Sequence, residues 1–111
     1  MDWNCNVEGN RLLVSIRGEI DHHTVQALKA EVDQLCQRHR IKHIILDFEG
    51  VDFMDSAGIG LLIGRYRYTA AQGGLTVAAC VGKSLRRIFA LSGLGRLIPV
   101  YTTVEEAKQS I

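Results

Sequence analysis

Proline is almost absent from the chain: Pro99 is the only one. No internal repeat or low-complexity segment appears, and 111 residues fall within the ~100–200 typical of one domain, so the sequence reads as a single domain, 1–111. The three cysteines, Cys5, Cys36 and Cys80, are odd in number and form no CxxC. That excludes a disulfide framework or a zinc ribbon and leaves buried, reduced thiols as the expectation. The longest run of apolar residues and glycine, Ala57–Gly64, is eight residues, against the ~18 a membrane span requires. The first ten residues lack a basic segment followed by an apolar one, so no signal peptide is expected and a cytoplasmic location is. Charge of one sign is lacking too: the net charge is +1 and aromatics make up 6%. Bulk attraction to nucleic acid or acidic membranes is therefore weak, and direct partners of either kind are not expected. What remains is ordinary globular material, 47% apolar and 23% charged, enough to bury roughly 60–70% of its unfolded surface around one core.

The near-zero charge conceals an asymmetry. Residues 1–55 hold ten acids and six bases, whereas 56–111 hold two acids and seven bases. The sign changes at Asp55-Ser56.

Turn residues divide the chain into alternating patterns. Residues 3–8 and 11–17 read as strands around a Glu8-Gly9-Asn10 turn. Gly18–His23 reads as a polar connection. From Thr24 to Arg38 the period becomes helical, with Val25, Leu28, Val32, Leu35 and Cys36 on one face. Thr24 or Asp21 could cap its start, and Arg38, His39 and Arg40 suit its negative pole. Residues 43–48 contain Ile44-Ile45-Leu46, a continuous apolar strand that predicts burial on both faces, as in a parallel sheet. A loop through Gly50 and Asp52 leads to a helix beginning at Ser56, with Ile59, Leu62, Ile63, Tyr66 and Ala70 as its apolar face and Gly73-Gly74 as its stop. A second buried strand follows at 75–81. Then comes a short helix over 84–92, with Leu85, Ile88 and Phe89 inward, Ser84 as cap and Gly93 as stop. A last strand over 97–101 is assigned to an edge by Pro99, and a capping box at Thr103–Glu106 opens a final helix. The predicted fold is α/β: a mixed, mostly parallel sheet with an antiparallel N-terminal edge strand and about four helices.

The segment most informative about function is Phe53-Met54-Asp55-Ser56-Ala57-Gly58-Ile59-Gly60. It passes from strand to helix, and open α/β sheets carry functional sites beyond the carboxyl ends of their strands. The bland role for Ser56 is an N-cap, worth about 1 kcal/mol. Capping does not explain Gly58, Gly60 and Gly64 in one helix, each about 1 kcal/mol worse than alanine in an interior position. Either the helix packs tightly on the sheet, or its bare start admits a close partner. A phosphate on Ser56 would add nearly two negative charges, repelled by Asp52 and Asp55 and tolerated through free helix N–H groups. It would alter the surface field more than the fold.

GEIDHHT (18–24), HIILDFEGVDFMDSAGIGLLIGRYR (43–67), GG (73–74) and RRIFALSGL (86–94) together resemble the anti-sigma factor antagonists of the STAS domain family. The likeness spans nearly the whole chain, in order. It is nearest the sporulation branch, whose antagonists act in the sigma-F switch of spore-forming bacteria. The resemblance implies a non-enzymatic partner switch without a cofactor of its own. In that family the unphosphorylated antagonist binds an anti-sigma factor that is also a serine kinase, with ADP or ATP bound to it, and the sigma factor is released. The kinase inactivates the antagonist by phosphorylating one serine, and a PP2C-type phosphatase resets it. That serine corresponds to Ser56. Many relatives carry a second serine where this chain has Ala57. The family's docking loop corresponds to Asp21, His22, His23 and Thr24. The expected docking face also includes Asp55, Ala57, Gly58, Ile59 and Gly60, with Asp55 positioning the Ser56 loop or helping the kinase recognise it and Gly58 and Gly60 keeping the approach clear. The same resemblance admits a general-stress or other partner-switching pathway.

Other signals are weaker. His22-His23 lacks the spacing of a metal site, although a histidine there could make docking pH-sensitive. Ser56, Asp55 and His22 supply the residue types of a hydrolytic triad, but position 54 of the G-x-S-x-G elbow is Met. Gly82-Lys83-Ser84 lacks the leading glycine of a phosphate loop, since position 77 is Val. Arg65, Arg67, Arg86, Arg87 and Arg96 read as solvated helix faces or as contacts to acidic partner surfaces.

Overall fold

A computed structural model describes residues 2–111. The elements run β1 (Asp2–Glu8), β2 (Arg11–Ile20), α1 (Val25–His39), β3 (His43–Met54), α2 (Ser56–Ala71), β4 (Thr76–Ala79), α3 (Lys83–Ser92), α4 (Leu94–Leu97), β5 (Val100–Tyr101) and α5 (Val104–Gln109). The strands form one sheet in the order β1-β2-β3-β4-β5. β1 is antiparallel to β2, and every other pairing is parallel. This is the mixed sheet expected, with five helices among the described residues rather than about four.

The main core lies on one face of the sheet. Leu12, Val14, Ile16, Ile44, Leu46 and Phe48 meet Leu28 and Val32 of α1, Leu62 of α2, Leu85 and Phe89 of α3 and Leu94 of α4. The opposite face holds a smaller cluster, in which Ala107 of α5 covers Ile45, Val77 and Ala79. Residues 44–46 are therefore buried on both sides, as their unbroken apolar run predicts.

Four local expectations are corrected. First, Gly18–Ile20 and Gly50–Met54 are strand, not loop. Pairing slips between Ser15 and Arg17 and again between Arg17 and Glu19, so the buried residues of late β3 are Phe48, Val51 and Met54. Such bulges replace the two-residue alternation with a three-residue spacing and hide the strand. Second, the buried stripe of α2 is Gly58, Leu61, Leu62, Arg65 and Thr69, while Ile59, Ile63 and Tyr66 are half-buried and Ala70 is exposed. Polar residues hide this stripe: Arg65 Nη2 pairs with Asp33 Oδ1 at 3.1 Å, and Thr69 Oγ1 bonds Thr76 Oγ1 at 2.8 Å. Arg65 is thus a buried tie to α1, not part of a solvated face. Third, α3 begins after Gly82 rather than on a Ser84 cap. Fourth, residues 97–101 are mostly α4 and its exit, because Leu94 and Ile98 both point into the core. Only Val100 and Tyr101 remain as strand, at the sheet edge beside Pro99.

The other punctuation matches: Thr103 accepts from Glu106 N–H at 3.1 Å, and Gly73 and Gly93 take positive φ of 76° and 83°. All three cysteines are free, with Cys36 buried and Cys5 and Cys80 half-buried. The charge asymmetry does not survive folding as two lobes, since Lys108 pairs with Glu8 and Arg65 with Asp33.

Candidate functional site

The extension of β2 and β3 beyond the central ladder builds the site. Ile20 pairs with Met54, so the turn that follows each strand emerges at the same end of the sheet. Asp55 N–H donates to Ile20 O at 3.1 Å and locks the two exits together.

Each turn is organised by its own aspartate. Asp21 Oδ1 accepts from the N–H groups of His23 (3.0 Å) and Thr24 (3.2 Å), and Thr24 Oγ1 lies 3.1 Å from the same oxygen. Asp55 is the N-cap of α2: its Oδ1 accepts from Ala57 N–H at 2.9 Å and Gly58 N–H at 3.2 Å. Capping therefore falls to Asp55, one residue before the serine expected to do it. The other oxygen, Oδ2, accepts from His22 N–H at 3.2 Å and lies 3.4 Å from His22 Nδ1. One carboxylate thus closes the helix and clamps the neighbouring loop to it. Desolvation works against the charged form of both aspartates. For Asp55 the donors on Gly58, His22 and Ala57 outweigh it; for Asp21 those on Thr24 and His23 do. Both carboxyls end below the usual carboxylate range.

Ser56 is the first residue of α2 and is exposed, and its hydroxyl makes no hydrogen bond among the described residues. Two of the helix N–H groups anticipated as a cradle for a phosphate, those of Ala57 and Gly58, already serve Asp55. The glycines divide between the two roles left open by the sequence. A Cβ on Gly58 would lie 2.9 Å from Met54 Cβ and 3.0 Å from Ile20 Cγ2, whereas one on Gly60 would meet nothing within 4 Å. Gly58 is needed for packing, and Gly60 leaves a bare, exposed turn of helix beside Ser56.

The structure thus brings Asp21, His22, His23, Thr24, Asp55, Ser56, Ala57, Gly58, Ile59 and Gly60 to one end of the fold. His22 and His23 are exposed there, their ring centroids 3.9 Å apart. Next to Asp55 and Ser56 lies a feature the sequence did not announce: an open groove of about 380 Å³ lined by these two residues and by Phe53, Met54, Ile59, Ile88 and Leu91. Phe53 is 46% exposed and Leu91 87%. The available signal was Leu91, an apolar residue that falls off the inward stripe of Leu85 and Phe89. A second hollow, of about 340 Å³, is polar and lies across β1–β3 around Arg17, Asp47 and Glu49; it holds none of the predicted residues.

For hydrolysis the arrangement is incomplete. His22 meets Asp55, as an orienting pair would, but Ser56 does not meet His22, and the same Asp55 carboxylate is occupied by two helix N–H groups. Among the described residues no three His, Cys, Asp or Glu side chains converge as metal ligands, and no helix is long and apolar enough to cross a membrane.

The STAS domain family matches residues 2–107. An anti-sigma F factor antagonist of Paenibacillus polymyxa is 36% identical over 103 residues, covering 91% of this chain and 88% of the relative. An anti-sigma-B factor antagonist of Bacillus subtilis is 29% identical over 98% of this chain and 100% of the relative. Among solved structures, the anti-sigma factor antagonist SpoIIAA in its unphosphorylated form superimposes with a TM-score of 0.86 at 32% identity, covering 98% of this chain and 95% of that one. The chain belongs to the STAS domain family, alongside relatives that are anti-sigma factor antagonists.

Proposed function

We propose that this protein is a cytoplasmic anti-sigma factor antagonist of the sigma-F type. Its unphosphorylated form docks on an anti-sigma serine kinase and releases the sigma factor. Phosphorylation of Ser56 by that kinase weakens the complex, and a PP2C-type phosphatase reverses it. The observation that carries this reading is the position of Ser56: exposed, lining an apolar groove, at a helix start where Asp55 already holds the Ala57 and Gly58 N–H groups. With the Ala57 and Gly58 N–H groups engaged, most of a phosphate's charge there stays on the surface that a partner must cover. On a chain of net +1 it shifts the total to about −1. Desolvating the added phosphate charge at an interface is strongly unfavourable, so the modification opposes docking without needing to refold the domain. The kinase and phosphatase supply the chemistry; this chain supplies a hydroxyl and a shaped face. A general-stress pathway is the second reading, favoured by the full-length likeness to the anti-sigma-B factor antagonist.

Incubation with the cognate kinase and ATP followed by mass spectrometry is expected to give one phosphate, on Ser56, and none on Ser56→Ala. A phosphate elsewhere overturns the assignment. By calorimetry, Ser56→Asp should bind the ADP-loaded kinase at least about ten-fold more weakly, a loss of about 1.4 kcal/mol. Unchanged affinity would sink the charge mechanism.

A further inference from the structure

In the neighbouring loop, the His22 ring is the group in contact with Asp55, the residue before Ser56. Asp55 Oδ1 is committed to the α2 N–H groups, and Oδ2 holds the backbone N–H of His22 whatever the state of its ring. The His22 ring itself lies against that oxygen, with Nδ1 at 3.4 Å and the side chain 69% exposed. The charged and titratable groups facing the ring are Asp55, from the β3–α2 junction, and His23, stacked beside it in the same loop. Asp21, also in that loop, is turned to the His23 and Thr24 N–H groups. The ring thus sits next to one carboxylate, one residue along the chain from the serine hydroxyl.

We infer that His22 is the charge sensor of the switch: when Ser56 carries a phosphate, the imidazole takes up a proton from solvent and pairs with both anions. The modification is thereby transmitted from α2 to the β2–α1 loop, and the net charge of the docking face becomes dependent on pH. An ordinary imidazole titrates near pH 6.5, and phosphoserine loses its second proton near pH 6. The two groups therefore exchange influence within the physiological range. For two negative charges held about 6 Å from any imidazole across water, Coulomb's law with screening at 0.1 M salt gives a rise of about half a unit. Linkage requires the phosphate midpoint to fall reciprocally.

This inference rests on Ser56 being the modified residue, and its test is arranged to fail separately. Phosphoserine is introduced at position 56 of the full chain during translation, so no kinase is needed. The His22 and His23 rings are followed by NMR from pH 5 to 8.5, with assignments from His22→Gln and His23→Gln, and the phosphate is followed by its phosphorus signal. The expected result is a His22 midpoint about half a unit higher in the phosphorylated chain, with a phosphate midpoint that is lower than in phosphorylated His22→Gln. A His22 midpoint that moves by less than about 0.1 unit, a shift carried wholly by His23, or a phosphate midpoint insensitive to His22→Gln would each overturn it. Failure of the kinase to label Ser56 would instead overturn the functional reading and leave this coupling standing.

Discussion

Adding one methyl group at Gly60 and the same methyl at Gly58 should have opposite effects. Gly60 is exposed, in the second turn of α2, and a Cβ there meets nothing within 4 Å. Nothing in the fold compensates for its poor helix propensity, about 1 kcal/mol below alanine. Gly60→Ala is therefore expected to stabilise the protein by about 0.5–1 kcal/mol, raising Tm by about 2–8 °C for a domain near 100 residues. At Gly58 the new Cβ would press on Met54 Cβ (2.9 Å), Ile20 Cγ2 (3.0 Å) and Ile20 O (3.3 Å). The first and last of these are fixed to backbone, so α2 must lift from the ends of β2 and β3. Overpacking of this kind costs about 1–3 kcal/mol, only partly offset by propensity, so Gly58→Ala should destabilise by about 1–2 kcal/mol. Denaturant unfolding measures both. Calorimetry with the ADP-loaded kinase then separates stability from function: Gly60→Ala should be the more stable protein and the weaker partner, by about ten-fold or more. A stabilised Gly60→Ala with unchanged affinity would refute the role of the bare helix turn. A destabilised one would refute the geometry itself.

Three further outcomes are expected. Asp33→Ala strands the buried Arg65 guanidinium, whose Nη1 has no hydrogen-bond partner among the described residues. It should cost about 1–2 kcal/mol, below the 3–5 of a fully enclosed pair because Asp33 is 37% exposed, whereas Arg65→Met should change stability by less than about 1 kcal/mol; equal losses in urea unfolding would argue against a desolvated pair. The depressed carboxyls of Asp55 and Asp21 stabilise the fold above their unfolded value of about 3.9, and that contribution is lost as pH falls through their lower folded values. The Tm of Asp55→Asn should therefore fall less steeply than wild type below about pH 4, and parallel curves would contradict the clamp. Burial pushes the Cys5 thiol up to about 12 and Cys36 to about 11, so at pH 8 iodoacetamide should alkylate both at least about 100-fold more slowly in the native than in the unfolded chain; rapid native labelling of Cys36 would show that α1 opens.

Much of the site was legible because it is local. Ser56 stands at the start of a helix whose onset is written in the change of period, and Asp55 is its neighbour. The loop 21–24 entered through its likeness to a family, and folding brings it to Ser56 because β2 and β3 end in register. The less legible parts are those in which distant residues decide what a local pattern means. Thr69 and Arg65 look like surface positions until Thr76 and Asp33 are brought to them. The late halves of β2 and β3 look like loops until two bulges give them a common register. The groove escaped because Phe53, Ile59, Ile88 and Leu91 come from a strand and two helices, and no single period contains them.

By itself the sequence determined the alternation of strands and helices as far as α3, the two-sided burial of residues 44–46 and the helix start at Ser56, since each depends on residues within a turn or a strand of one another; the family likeness came from several such local motifs in order along the chain. The tertiary structure decided which glycine packs and which stays bare, that Asp55 rather than Ser56 caps α2, and that His22 shares that carboxylate. The packing of Gly58 on Ile20 and the sharing of Asp55 by His22 depend on distances between segments more than thirty residues apart, which only the folded chain sets, and the cap depends on which of two adjacent good cap residues the chain turns at.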